Sequence, residues 1–166
     1  GGSVHFIDNR NIVSRREQTD LNDDALQSRC LQYLEEMDCL LDEDDFDVIC
    51  HLDVIKKFNR RLPEIIMEKF DEIIARIRYK GLTVEVNTSG LNHPAHEIYP
   101  GPDLLQTCLR RGVPITLASD AHHPDMVGQH YDQVLKDLAD MGFTHLAGFR
   151  RRKRYEIPIE LNGGRC

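Results

Sequence analysis

The feature that most constrains this chain is its alternation of short apolar runs with stretches of helical period. "SVHFI" (3–7), "FDVIC" (46–50), "LTVEVN" (82–87), "PITLAS" (114–119) and "THLAGF" (144–149) are brief, mostly apolar and strand-like. From about residue 22 to 41, Leu26, Cys30, Leu34, Met37 and Leu41 recur at spacings of three and four, which predicts an amphipathic helix. The same spacing links Ile66, Phe70, Ile73 and Ile77, with Pro63 suited to a first turn and Gly81 to the stop. A shorter helix is predicted over about 103–111, ending at Gly112. A last one over about 125–141 carries Val127, Tyr131, Val134, Leu138 and Met141 before Gly142. Strand, helix, strand, helix predicts an α/β fold: parallel strands alternating with helices through right-handed crossovers.

Composition bounds what such a fold does. With 166 residues, 40% of them apolar, the chain is long enough for one domain with its own core. The net charge of −7 is spread without an acidic tail, which disfavours broad polyanion binding and suits a soluble cytoplasmic protein. Five cysteines without paired spacing give no disulfide framework and no zinc-ribbon pattern. No apolar run is long enough to span a membrane, and "GGSVHFID" has no signal-peptide character.

Reading the strands face by face locates the chemistry. Side chains alternate with a period of two, so Val84 and Val86 share one face and Glu85 and Asn87 the other. In "TLASDAH" the residues Thr116, Ala118, Asp120 and His122 fall together if the extended path continues. His51 and Asp53 are likewise two apart, and His5 lies on a strand of its own. One face is therefore apolar, while the other gathers histidines and acids at the carboxyl ends of strands, where a parallel sheet or barrel opens to a ligand.

Three imidazoles and a carboxylate arriving from different strands suit a borderline divalent metal such as zinc, manganese or iron. Metal binding is the leading chemical reading; the plainer one makes each histidine a hydrogen-bonding residue at a strand end. Asp53 can orient a histidine or cap the segment that follows. His123 adjoins the site, but alternation turns it away, so it reads as structural.

The segments "GSVHFID", "CHLDVIKKF", "VEVNTSGL", "HEIYPGPDLL", "GVPITLASDAHHPDMVG" and "FRRRKR" follow one another in an order and spacing that resembles the histidinol-phosphate phosphatases of the PHP (polymerase and histidinol phosphatase) superfamily. The resemblance runs over nearly the whole chain. It implies part of a distorted (β/α)7 barrel, with two or three divalent metal ions hydrolysing a phosphate monoester, histidinol phosphate to histidinol, in histidine biosynthesis. Carried over residue by residue, it implies His5, His51, Asp120 and His122 as metal ligands, with Asp120 and His122 central to catalysis. Family members begin with a strand bearing a His-x-His pair, which residues 1–166 do not show. The expectation is a single PHP domain lacking the N-terminal strands that carry the first ligand motifs. Two further departures are Asn92, where relatives often have arginine, and Cys50, where glycine is common.

A phosphate dianion also calls for positive charge, and arginine offers a two-pronged fork for it. Lys57, Arg60 and Arg61 after His51, and Arg10, Arg15 and Arg16 after His5, are candidates, against a plain reading as solvated loop charges. Lys57, Arg60, Arg10 and Asn92 are the expected substrate contacts. Glu97 and Tyr99 either line the mouth or belong to a proline-stiffened connection. "FRRRKR" (149–154) reads as a solvated rim, since stacking aromatics are absent and the net charge is negative.

The expected partner is a small phosphorylated substrate, with no membrane and no nucleic acid. Two alternatives stay open: a PHP phosphoesterase acting on nucleotides or nucleic acid, and a non-catalytic barrel fragment. Open sheet edges and apolar surface would lead the latter to a homo-oligomer or to a complementing N-terminal segment.

Overall fold

A computed structural model describes residues 1–14, 22–58 and 61–160. Its centre is a three-stranded parallel sheet in the order β3 (Val48–Ile49), β4 (Thr83–Asn87), β5 (Ile115–Ala118). Val48 and Ile49 pair with Thr83 and Val84, and Val84 to Asn87 pair with Ile115 to Ala118. Parallel strands need crossovers. Here these are α2 (Glu64–Tyr79) between β3 and β4, and α3 (Pro102–Arg111) between β4 and β5.

Helix α1 (Asp23–Asp42) packs on α2, and α2 on α3 and β4. Asn22 starts α1 by accepting the Ala25 amide, one of the donors that a first turn leaves unpaired. The apolar stripe expected of α1 is buried through Leu26, Cys30, Leu34, Met37 and Leu41, and Tyr33 joins it. Phe70, Ile74, Ile77, Val84, Val86 and Leu105 are fully enclosed and make the contact between sheet and helices. Gly112, at φ 65°, closes α3 in the left-handed conformation that favours glycine.

Three expectations are corrected. First, "SVHFI" does not run as one parallel strand. Gly2 alone makes a parallel bridge to Ile49, while β1 (Phe6–Ile7) turns back antiparallel onto β2 (Arg10–Asn11). The turn residues Asp8 and Asn9, at φ 50° and 62°, supply the left-handed pair that a two-residue hairpin requires.

Second, the last helix, α4 (Tyr131–Met141), starts later than its apolar spacing predicts. Pro124–Met126 form a 3-10 turn, and left-handed Gly128 and His130 break the path, which leaves Val127 74% exposed. Third, "THLAGF" becomes β6 (His145–Arg150), which hydrogen-bonds not to β5 but antiparallel to β7 (Lys153–Pro158). The basic run "FRRRKR" is the tip of that hairpin, with Arg151 and Arg152 both left-handed. Arg152 pairs with Asp47, and Arg154 donates to the Gly81 carbonyl. Among the described residues, no helix is long and apolar enough to cross a membrane.

Candidate active site

The carboxyl ends of β3, β4 and β5 lie side by side, and each delivers polar groups. Beyond β3 the backbone turns sharply at His51, whose φ of 31° ends the extended path. This bend brings His51 against His5: their Nε2 atoms are 3.0 Å apart and the rings stack at 4.9 Å. One Nε2 donates to the other. Burial is the main influence that lowers the pKa of both rings, and neighbouring positive charge adds to it, so each favours the neutral form that ligates metals. His51 is 8% exposed, and its Nδ1 is buried without a hydrogen-bond partner.

From β4, Glu85 accepts the His51 amide at 2.8 Å and the Asn87 side-chain amide at 3.2 Å. Burial raises its pKa. Asn87 then caps the 3-10 turn Thr88–Asn92 by accepting from the Ser89 amide and hydroxyl. Ser89 Oγ reaches Asp120 Oδ2 at 3.4 Å, which ties the ends of β4 and β5 together. Cys50, beside His51, keeps its proton, its thiol pushed up to about 11 by burial and then by Glu85.

Asp120 belongs with this pair. Its charge opposes the lowering of both histidines and of Lys57. His122 does not follow it. Asp120 sits at φ 47°, so the alternation assumed along "TLASDAH" breaks, and the His122 side chain is 85% exposed. Its Nδ1 donates to the Asp120 carbonyl at 2.9 Å. His123 lies with Nδ1 3.3 Å from Asp125. Among the described residues, no three His, Cys, Asp or Glu side chains form a ready cluster for a metal ion.

The two lysines of "IKKF" divide between fold and site. Lys56 is 5% exposed and salt-bridged to Asp53 at 2.7 Å and to Glu97, with its ammonium 5.6 Å over the Tyr99 ring. Lys57 is half-buried and acts on His5, His51 and His93. Burial lowers its pKa and Asp120 opposes that. The expected role of Asp53 is corrected: it neither orients a histidine nor caps the next turn. Asp53 Oδ2 is taken by Lys56 and by the Gly101 amide at 2.9 Å, because a buried carboxylate seeks the nearest cation and N–H.

Asn92 is also corrected as a free contact. Its amide donates to Gln129 at 2.6 Å and its oxygen accepts from His130 at 3.1 Å. Arg10 stands exposed on β2, and the charges that act on the two histidines are those of Asp120, Asp53 and Lys57. Arg60, like Arg15 and Arg16, lies outside the described residues. Arg61 lines a separate cavity of about 940 Å³ with Asp53, Lys56 and Glu97, which touches neither His5 nor His51.

One site residue escapes the sequence reading. His93 follows the 3-10 turn after β4, is half-buried, and has Nδ1 3.1 Å from the Tyr99 hydroxyl. Its pKa is lowered by burial and then by Lys57, while Asp120 opposes. Its place just past a strand's carboxyl end was the available signal; no alternation rule reaches across the turn.

These features define a class: α/β proteins that collect imidazole and carboxylate groups at the carboxyl ends of adjacent parallel strands. Within it the chain is similar to proteins named as histidinol-phosphatases. It is 33% identical over 159 residues to the Deinococcus radiodurans protein named "Probable histidinol-phosphatase", covering 92% of this chain and 57% of that protein. A Schizosaccharomyces pombe protein of the same name is 33% identical over 110 residues, covering 60% of this chain and 35% of that one. The chain thus spans about half or less of the curated relatives it matches. A solved structure described as a candidate histidinol phosphatase, HisK of Listeria monocytogenes, shares the fold with a TM-score of 0.71. It is 23% identical, over 79% of this chain and 56% of that one. No family model matches.

Proposed function

We propose that this chain carries the working strand ends of a metal-dependent phosphate monoester hydrolase, acting on histidinol phosphate in histidine biosynthesis. The observation that carries the reading is the close pair His5–His51, with Asp120 and the half-buried ammonium of Lys57 around it. Two neutral imidazoles and a carboxylate are in kind the donors of a borderline divalent ion, and they would supply part of the ligand set of such an enzyme's two or three ions. His5, His51 and Asp120 would hold metal. His122 would join them only by turning in from solvent, and further donors would come from elsewhere in the protein. Bound metal supplies a water acidic enough to attack phosphorus.

The residues of the chain do the rest. Lys57 attracts the phosphate, Glu85 fixes the bend at His51, and Ser89 steadies the Asp120 carboxylate. In this reading the three parallel strands are an arc of a distorted (β/α)7 barrel in one PHP domain, and the protein works in the cytoplasm. Phosphate release from histidinol phosphate by the full-length protein, with metal content measured alongside, tests it. We expect Asp120→Asn to lose turnover by on the order of a hundredfold or more, together with bound metal and with little loss of folding. Near-normal turnover in that variant sinks the assignment.

A further inference from the structure

Asn92, the position at which the sequence suggests a substrate contact, is consumed by Gln129 and His130. The next residue is not. His93 has one nitrogen engaged by Tyr99, and among the described residues none hydrogen-bonds to its Nε2. Tyr99 is a rigid support: it is 1% exposed, and its backbone is bonded in both directions to Asn87, at 2.7 and 3.1 Å. Its ring stacks on that of His93 with centroids 6.0 Å apart and planes 24° from parallel. Gly90 permits this closeness, since a Cβ there would collide with the Glu97 carbonyl and come within 3.0 Å of the Tyr99 ring.

We propose that His93 is a substrate-binding residue of this site, a neutral N–H donor to a phosphate-ester oxygen, and that Tyr99 sets its tautomer as a positioning residue. The inference rests on the phosphatase reading. The chemistry runs through the hydrogen bond already in place. Burial raises the pKa of the Tyr99 phenol, and Asp53, Glu97 and Asp120 add to that, so the hydroxyl keeps its proton; in the proposed arrangement it donates that proton to Nδ1. The imidazole proton then sits on Nε2. The titratable groups acting on this ring are Lys57, Asp120 and His122. Of these, Lys57 draws an anion in and Asp120 opposes it, so a donor of fixed direction adds selectivity that a point charge lacks.

The test is ¹⁵N NMR of the imidazoles in the full chain, titrated with inorganic phosphate. We expect His93 in the Nε2–H form and a phosphate-dependent shift of its resonance. His93→Phe should weaken phosphate binding on the order of tenfold, His93→Gln, which keeps a donor, should restore part of it, and Tyr99→Phe should let the other tautomer appear. Phosphate that moves the His5 or His51 signals but leaves His93 unmoved overturns this inference and spares the phosphatase reading. Phosphate that moves none of them overturns both. Equal losses in the Gln and Phe variants also count against a donor role.

Discussion

At the scale of single residues, the fold relies on a few polar groups placed where water cannot reach. Tyr33 is fully buried in the α1 stripe, donates its hydroxyl to the Leu52 carbonyl at 2.9 Å and tilts against Phe70. Tyr33→Phe keeps the ring and leaves that carbonyl unpaired, so we expect a loss of about 1–3 kcal/mol in urea unfolding. An unchanged midpoint would mean that water or movement satisfies Leu52. Alternation alone marked Val84 and Val86 as core and Glu85 and Asn87 as the opposite face, and the structure agrees, because β4 is extended from Thr83 to Asn87. It failed at Asp120 and His122, where one left-handed residue ends the period of two. Lys56 and Lys57 could not be told apart in sequence: only the position of Asp53 and Glu97 in space decides which ammonium is locked.

At the scale of elements, helix-to-helix contacts are pinned at their outer edges by ion pairs. Arg76 joins α2 to Asp38 and Asp42 of α1, and Arg111 of α3 grips Asp71 of α2. The Arg111 hydrogen bond is the main cause that holds the Asp71 carboxyl below its usual 3.8. A carboxylate with a depressed folded-state pKa stabilises the fold above its unfolded value and loses that contribution as pH falls through the folded one. We therefore expect the stability of the native chain to fall more steeply below pH 3.8 than that of Asp71→Asn. The difference should be small and shrink in salt, since the pair is largely exposed. Identical pH profiles in acid denaturation would remove Asp71 from the account. The helices were legible because their apolar spacing persists over several turns. The two hairpins were not, since β1–β2 is only two residues per strand and the β6–β7 turn uses arginines, which carry no turn signature.

At the scale of the whole molecule, the described residues divide their strands among a three-stranded parallel sheet and two hairpins that do not hydrogen-bond to it as strands. Every residue of β7 is exposed, including Tyr155 and Ile157, and Phe6 of β1 is 57% exposed. We expect the isolated chain to self-associate through such strands, and Ile157→Lys to shift it toward monomer in sedimentation velocity. A strictly monomeric parent chain would overturn this. The bends at His51 and Asp120 carry a different consequence. Both hold non-glycine residues at positive φ, a conformation that glycine adopts without strain. A library randomised at 120 and selected only for survival of heat should therefore return glycine ahead of aspartate. Enrichment of aspartate in the survivors would show that the bend is not under tension. On the proposed reading the Asp120 carboxylate is, in those terms, something the fold tolerates for the sake of its chemistry, and a lineage without that chemistry would be expected to discard it early.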